Sequence, residues 1–155
     1  MRRGRLKGDV KRLMSSGETY DVLEIDVPLF GMFMEVFLDD ISKLESWMKM
    51  AIGGEMPELE ESEKLADGLT IDSTNAGVDG YVIVVLKDFR KKMKEDRITA
   101  IGILAHECLH AARTVLDSRG VPFTSENDEV VAYLQEQLVE STLRELKKGR
   151  RHGKR

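Results

Sequence analysis

The amino-acid sequence predicts an α+β domain, with short strands in the first part of the chain and two long helices after them. Several segments before residue 87 alternate polar with apolar residues or are rich in β-branched residues, as strands are. Two segments after residue 96 instead carry apolar residues at intervals of three and four, as helices do. A chain of 155 residues with 41% hydrophobic and 34% charged residues is long enough to bury a core.

The first three predicted elements are two strands and a helix. Residues 20–27 alternate polar with apolar, and residues 32–38 are apolar and β-prone, so the two segments can pair as a hairpin. From Asp39 the apolar spacing changes to three and four. We therefore expect a helix over about residues 40–52, with Asp39 or Asp40 as its cap.

The middle of the chain predicts two further strands separated by turns. Residues 55–63 are acidic and contain a proline, which favours a solvated loop. Residues 68–74 indicate a short strand, and residues 81–86 (Tyr-Val-Ile-Val-Val-Leu) carry the strongest strand signal in the chain. The charged residues 87–94 are expected to form a solvated connection.

Two helices are predicted to complete the domain. Asp96 can cap a helix over about residues 97–117 that is apolar around most of its circumference, so we expect it to be buried. Residues 125–128 resemble a capping box, and a last helix over about residues 126–148 follows. Its predicted apolar stripe consists of Val130, Val131, Leu134 and Leu138.

Basic residues are concentrated at both ends of the chain. Residues 1–12 and 147–155 hold 12 of the 24 basic residues and one acid, which leaves 12 basic against 27 acidic residues between them, a net charge of −15. We interpret residues 1–12 as a basic arm, 13–148 as one domain and 149–155 as a basic tail. The ends could contact nucleic acid or an acidic protein surface; alternatively, they only solubilise the chain or fold back on its acidic body.

The composition argues against secretion and membrane insertion. The chain has one cysteine, Cys108, which excludes an internal disulfide and suits a reducing compartment. It contains no apolar run of 18 residues, and no signal-peptide core follows the basic N-terminus. We therefore expect a cytoplasmic protein.

The motif that points to chemistry is His106-Glu107-Cys108-Leu109-His110 within the first long helix. Histidines four residues apart lie on one face of a helix and can bind one Zn²⁺ together. Glu107 lies beside such an ion and can take a proton from its water. Cys108 points about 200° away, so we interpret it as a core residue.

A catalytic zinc site commonly has three protein ligands. Glu129 lies early in the next helix, in one row with Tyr133, Glu136 and Glu140. That row is either a solvated face or the face turned to the metal helix, and the sequence leaves both possibilities open. The third-ligand candidates are Asp117, Glu126, Asp128, Glu129, Glu136, Glu140 and His152.

The motif and the segment Asn127-Asp128-Glu129-Val130-Val131-Ala132-Tyr133-Leu134 together resemble small phage-encoded zinc metallopeptidases of the zincin, gluzincin-like class. The resemblance spans roughly residues 69–146. It implies a minimal zincin-like domain: a small, mostly antiparallel sheet on a central HExxH helix, with a second helix C-terminal to it. It implies His106, His110 and Glu129 as zinc ligands and Glu107 as the general base. Among the other third-ligand candidates, Glu126 is the next choice after Glu129. It also implies that a strand above the helix, here residues 81–86, binds an extended peptide by edge pairing.

The expected function is therefore zinc-dependent hydrolysis of a peptide or protein substrate, in the host cytoplasm if a phage encodes the chain. Tyr133 and Tyr81 are candidates to stabilise the oxyanion, although tyrosines of this kind are more commonly core residues. The alternative is a non-catalytic zincin-like binding protein, virion-associated or regulatory, that docks through its basic ends. The sequence does not indicate an oligomeric state.

Overall fold

The computed structural model describes residues 10–13 and 19–152, with only the backbone described for residues 10–13, 75–76 and 149–152. These residues form an α+β fold with a five-stranded sheet. The strands are β1 (Val10–Leu13), β2 (Thr19–Val27), β3 (Met32–Phe37), β4 (Gly68–Asp72) and β5 (Tyr81–Leu86). The helices are α1 (Leu44–Ala51), α2 (Glu61–Leu65), α3 (Phe89–Glu95), α4 (Arg97–Ser118) and α5 (Asp128–His152).

The sheet has the strand order β1-β2-β3-β5-β4 and is mostly antiparallel, as expected. β2 and β3 form the predicted hairpin, in which Ile25 lies opposite Met34. Gly31, with a φ of 62°, lies in the turn between them, in a conformation that L side chains rarely adopt. The one parallel pair joins β3 to β5, and β4 returns antiparallel at the edge of the sheet.

Alternation along the strands divides the hydrophobic core into two parts. On one face of the sheet, alternate residues such as Met34 and Val84 pack against α4 and α5. On the other face, Phe37 and Ile83 belong to a second cluster that contains Trp47 of α1. The sheet is therefore covered on both faces, and α4 lies on one of them beside β4 and β5.

The expectation that residues 81–86 present a free edge to a peptide is wrong. β5 pairs with β3 on one side and with β4 on the other, so its backbone groups are used within the sheet. β4, next to β5, is an edge strand of the sheet: in the described part of the chain its second edge has no strand partner. The strongly apolar sequence of β5 is that of a strand buried on both faces.

Two segments expected to be loops contain short helices. α3 occupies most of the charged connection, because Phe89 is buried in the core and anchors its first turn. α2 begins near the end of the acidic segment, where Glu60 and Glu63 form a capping box, and continues to Leu65. The charge pattern of each segment favours a loop, but burial of Phe89 stabilises α3 and the capping box stabilises α2.

The two long helices are confirmed with shifted ends. α4 begins after Asp96, whose carboxylate accepts a hydrogen bond of 3.1 Å from the Thr99 backbone N–H. α5 begins at Asp128, two residues later than expected, and continues to His152. The buried stripe of α5 contains Val131, Leu134 and Leu138, whereas Val130 is exposed.

The terminal segments are described in part. Residues 10–12, assigned from the sequence to the basic arm, belong to β1, which pairs with β2. Residues 149–152, assigned to the basic tail, continue α5. Residues 1–9 and 153–155, which carry several of the terminal charges, lie outside the described residues. In the described part of the chain, no helix is both long and apolar enough to cross a membrane.

Candidate metal and catalytic site

α4 carries the histidine motif on the face opposite its core contacts. Its buried side includes Ala100, Leu104 and Cys108, which pack in the core between the sheet and α5. His106 and His110 lie on the other side and are exposed. The expectation that α4 is buried all round is therefore wrong, and Ile98 at its start is 87% exposed. The histidines need no buried partner, because they face an open cleft.

The two imidazole rings converge on one point. The Nε2 atoms of His106 and His110 are 3.1 Å apart, with the rings edge-to-face at 72°. Two nitrogens about 2.0–2.1 Å from one zinc ion at the tetrahedral angle lie about 3.3 Å apart. The spacing of the pair is therefore close to the spacing that a shared zinc ion requires, and zinc binding itself stays a prediction.

Glu107 is held between α4 and the edge strand β4. It is 6% exposed, and its Oε2 accepts a hydrogen bond of 2.7 Å from the Thr70 hydroxyl. The same hydroxyl lies 3.1 Å from the Glu107 carbonyl oxygen. Gly68 covers the side chain: a Cβ atom at that position would lie 2.7 Å from both Cγ and Oε1 of Glu107. Thus β4 fixes the carboxylate from two sides.

A cleft of about 550 Å³ opens over this arrangement. His106, Glu107 and His110 line it, together with residues of α2, β4 and the second half of α4. Three more carboxylates line the same cleft: Glu63, Asp72 and Asp117. Two of them have local partners, since Glu63 accepts a bond from the Glu60 backbone N–H and Asp72 caps the turn at Thr74. The cleft thus combines imidazole and carboxylate groups, the ligand types that zinc takes from proteins.

The third metal ligand is not in place among the described residues. Within that part of the chain, no group of three His, Cys, Asp or Glu side chains is close enough to hold a metal ion. Glu129 lies in the first turn of α5, and both it and Glu126 are exposed and do not line the cleft. The row of Glu129, Tyr133, Glu136 and Glu140 is exposed along α5. The roles of Glu129 and Glu126 as ligands therefore stay predictions.

The tyrosines and the cysteine occupy distinct environments. Tyr133 is 67% exposed on α5 and does not line the cleft, and Tyr81 stacks on Phe33 at the start of β5. Neither is placed to contact a group bound at the histidines. Cys108 is fully buried, and this burial, together with the charge of Glu107, raises the pKa of its thiol to about 12. Cys108 is a core residue, as expected.

Three residues of the cleft escaped the sequence reasoning. Gly68 and Thr70 looked like ordinary strand residues, because their contacts with Glu107 join positions 39 and 37 apart in the sequence. Arg113 lies one turn after His110 and lines the cleft, with its guanidinium 5.0 Å from the centre of the Phe123 ring. Its i+3 spacing from His110 places it on the same helix face, and that spacing could have identified it.

Comparisons with known proteins found no match, so the function is inferred from the geometry of the site. No family model and no curated protein matches the sequence, and no solved structure matches the fold.

Proposed function

We propose that this protein is a zinc-dependent metallopeptidase with a minimal zincin-like fold. The observation that carries the proposal is the convergence of the His106 and His110 Nε2 atoms, 3.1 Å apart, beside the buried carboxylate of Glu107. Both histidines and the carboxylate line one open cleft. This arrangement combines two metal ligands, a base and access for a substrate.

The residues of α4 divide the chemistry between them. His106 and His110 would hold the zinc ion, which when bound lowers the pKa of a water molecule towards 7 and polarises the scissile carbonyl. Glu107 accepts a proton from the attacking water and donates it to the leaving amine. Oε2 accepts the Thr70 hydroxyl, and each carboxylate oxygen has two lone pairs, so the carboxylate keeps acceptor positions for that proton.

The third ligand can come from either side of the cleft. The resemblance to zincins favours Glu129, which would have to turn towards α4 from its exposed position in the first turn of α5. Glu63 and Asp117 already line the cleft. Replacing each of them by Ala and measuring the zinc dissociation constant identifies the ligand, because only its loss should weaken binding sharply. Glu126→Ala tests the next candidate in the same way, and we expect it to leave zinc binding unchanged if Glu129 is the ligand.

The substrate would bind along β4. This strand forms one wall of the cleft, and its second edge has no strand partner among the described residues. An extended peptide can add to such an edge through main-chain hydrogen bonds, which places its backbone beside α4. A peptide or protein is therefore the substrate class that we propose.

The experiment combines metal content with turnover. We expect about one zinc per chain in the native protein and in Glu107→Gln, and much less in His106→Ala and His110→Ala. Cleavage of a mixed peptide library should be lost in Glu107→Gln, because the amide cannot accept the proton. A zinc-free native protein, or undiminished cleavage by Glu107→Gln, would contradict the proposal.

A second candidate is a non-catalytic binding protein that docks through its basic ends. It is favoured by the missing third ligand in the described part of the chain and by the 12 basic residues at the two ends. Zinc binding without cleavage of any peptide in the library would support this alternative. Nucleic acid binding that weakens steeply with salt would then identify the partner class.

A further inference from the structure

We propose that Thr70 is a positioning residue for the general base, an inference that rests on the proposed peptidase function. Its hydroxyl lies 2.7 Å from Oε2 of Glu107 and 3.1 Å from the carbonyl oxygen of the same residue. A threonine hydroxyl has one hydrogen, which is shared between these two acceptors. The carbonyl belongs to the helix backbone and is rigid, so this contact holds the hydroxyl in place while it holds the carboxylate.

The position of Thr70 in the sheet does not itself require a hydroxyl. Leu69 and Ile71 point to the cluster on the far side of the sheet, while Thr70 faces α4. Its cross-strand neighbour on the same face is Val84, which is fully buried. Valine has the same branched shape and an equal preference for strands. The hydroxyl is therefore explained by its acceptor on Glu107 and not by packing of the strand.

Gly68 restricts the other half of the carboxylate. Oε1 and Cγ of Glu107 occupy the space that a Cβ atom at position 68 would need. Oε2 is thus fixed by a hydrogen bond to Thr70 and Oε1 by close packing under Gly68. With both oxygens restrained and the side chain 6% exposed, the carboxylate has one orientation relative to the histidine pair.

Such a restraint acts on the chemical step. Misplacement of a catalytic group by about 1 Å can lower a rate by about 10²-fold. Thr70→Val removes the hydrogen bond and keeps the side-chain shape, so we expect kcat to fall about 10–100-fold. KM should be unchanged, because the substrate contacts of β4 come from its backbone. Zinc content should also be unchanged, since neither histidine contacts Thr70.

The test compares Thr70→Val with two other variants. Thr70→Ser restores the hydroxyl and should recover most of kcat. Thr142→Val is the matched control: it removes a buried threonine hydroxyl that donates to the Leu138 carbonyl oxygen at 2.8 Å, far from the cleft. It should keep the native kcat, and the melting temperatures of both valine variants show whether stability alone explains the result.

Each outcome separates this inference from the proposed function. If the native protein cleaves peptides and Glu107→Gln does not, but Thr70→Val keeps the native kcat, then Thr70 does not position the base. If Thr70→Val raises KM and retains the native kcat, the conclusion is the same. It is also the same if Thr70→Ser folds but does not recover kcat. If Thr70→Val does not fold, the same kinetic measurements are made on Thr70→Ala. If neither variant folds, Thr70 is a structural residue and the inference is wrong. If Glu107→Gln is as active as the native protein, the proposed function itself is wrong.

Discussion

Gly68→Ala is the substitution whose effect follows most directly from the geometry of the cleft. The new methyl group would lie 2.7 Å from Cγ and Oε1 of Glu107, closer than real Cβ contacts come, so the Glu107 side chain must move. Overpacking of this kind costs about 1–3 kcal/mol. Loss of the Thr70 hydrogen bond to the displaced carboxylate adds about 1.5–3 kcal/mol.

The backbone contributes in the opposite direction. The φ of Gly68 lies outside the left-handed range, so alanine is tolerated there, and the smaller freedom of the unfolded chain stabilises the variant by about 0.4–1 kcal/mol. We therefore expect a net loss of about 1.5–5.5 kcal/mol in the free energy of unfolding. Zinc content should be retained, while peptide cleavage should fall with the displacement of Glu107.

The matched control is Gly102→Ala on α4, where the added Cβ meets nothing within 4 Å. Alanine in a helix is about 0.5–1 kcal/mol more favourable than glycine, so this variant should be slightly more stable than the native protein. Urea unfolding followed by circular dichroism measures both free energies, and cleavage of the peptide library measures activity. A Gly68→Ala variant that is as stable and as active as Gly102→Ala would refute the close packing of β4 on Glu107.

Four other predictions follow from burial, capping and metal binding. Leu104→Ala should cost about 2–5 kcal/mol in urea unfolding because Leu104 is fully buried, whereas Ile98→Ala at an exposed position should change stability by less than about 0.5 kcal/mol. The side-chain and backbone hydrogen bonds from Thr99 lower the pKa of Asp96 below its usual 3.8, so its stabilising effect is present above pH 3.8 and is lost as the pH falls through the lower folded value. The melting temperature of Asp96→Ala should accordingly lie below that of the native protein at pH 7, and the difference should shrink in acid; an equal difference at both pH values would contradict this. Cys108 is fully buried, so a thiol reagent should label the urea-unfolded protein and not the native one, as mass spectrometry can show. Zinc at 100 times its dissociation constant should raise the free energy of unfolding by about 2.7 kcal/mol, and a chelator should reverse the increase; a melting temperature indifferent to zinc would count against a site in the native state.

The core elements could be predicted because their signals are local. β2 alternates polar with apolar residues, β3 is apolar and β-prone, and β5 is mostly β-branched. α4 has a cap at Asp96 followed by apolar spacing of three and four. Of the two mispredicted helices, α2 depends on the local capping box of Glu60 and Glu63, whereas α3 depends on a contact with residues distant in the sequence. α3 forms because Phe89 reaches the core, and no pattern within residues 87–94 indicates that contact.

The surroundings of the motif were harder to predict than the motif itself. The sequence left two possibilities for the row that contains Glu129 and Tyr133, and the structure exposes it along α5. Gln135, on the inner side of α5, donates a hydrogen bond of 2.8 Å to the Ala105 carbonyl oxygen and so helps set the rotation of α5 against α4. The rotation of one helix against another depends on the contacts that both helices make. A helical wheel of α5 alone therefore cannot predict which of its faces is turned to α4.

The sequence by itself determined that His106 and His110 lie on one helix face with Glu107 beside them and Cys108 turned to the core. These relations depend on the helical repeat of a single segment, which the residues encode directly. The tertiary structure decided that β4, and not β5, is an edge strand, and that Gly68 and Thr70 clamp Glu107. Strand order and the contact across 37 residues arise when separate segments pack together, and no periodicity within either segment contains that information.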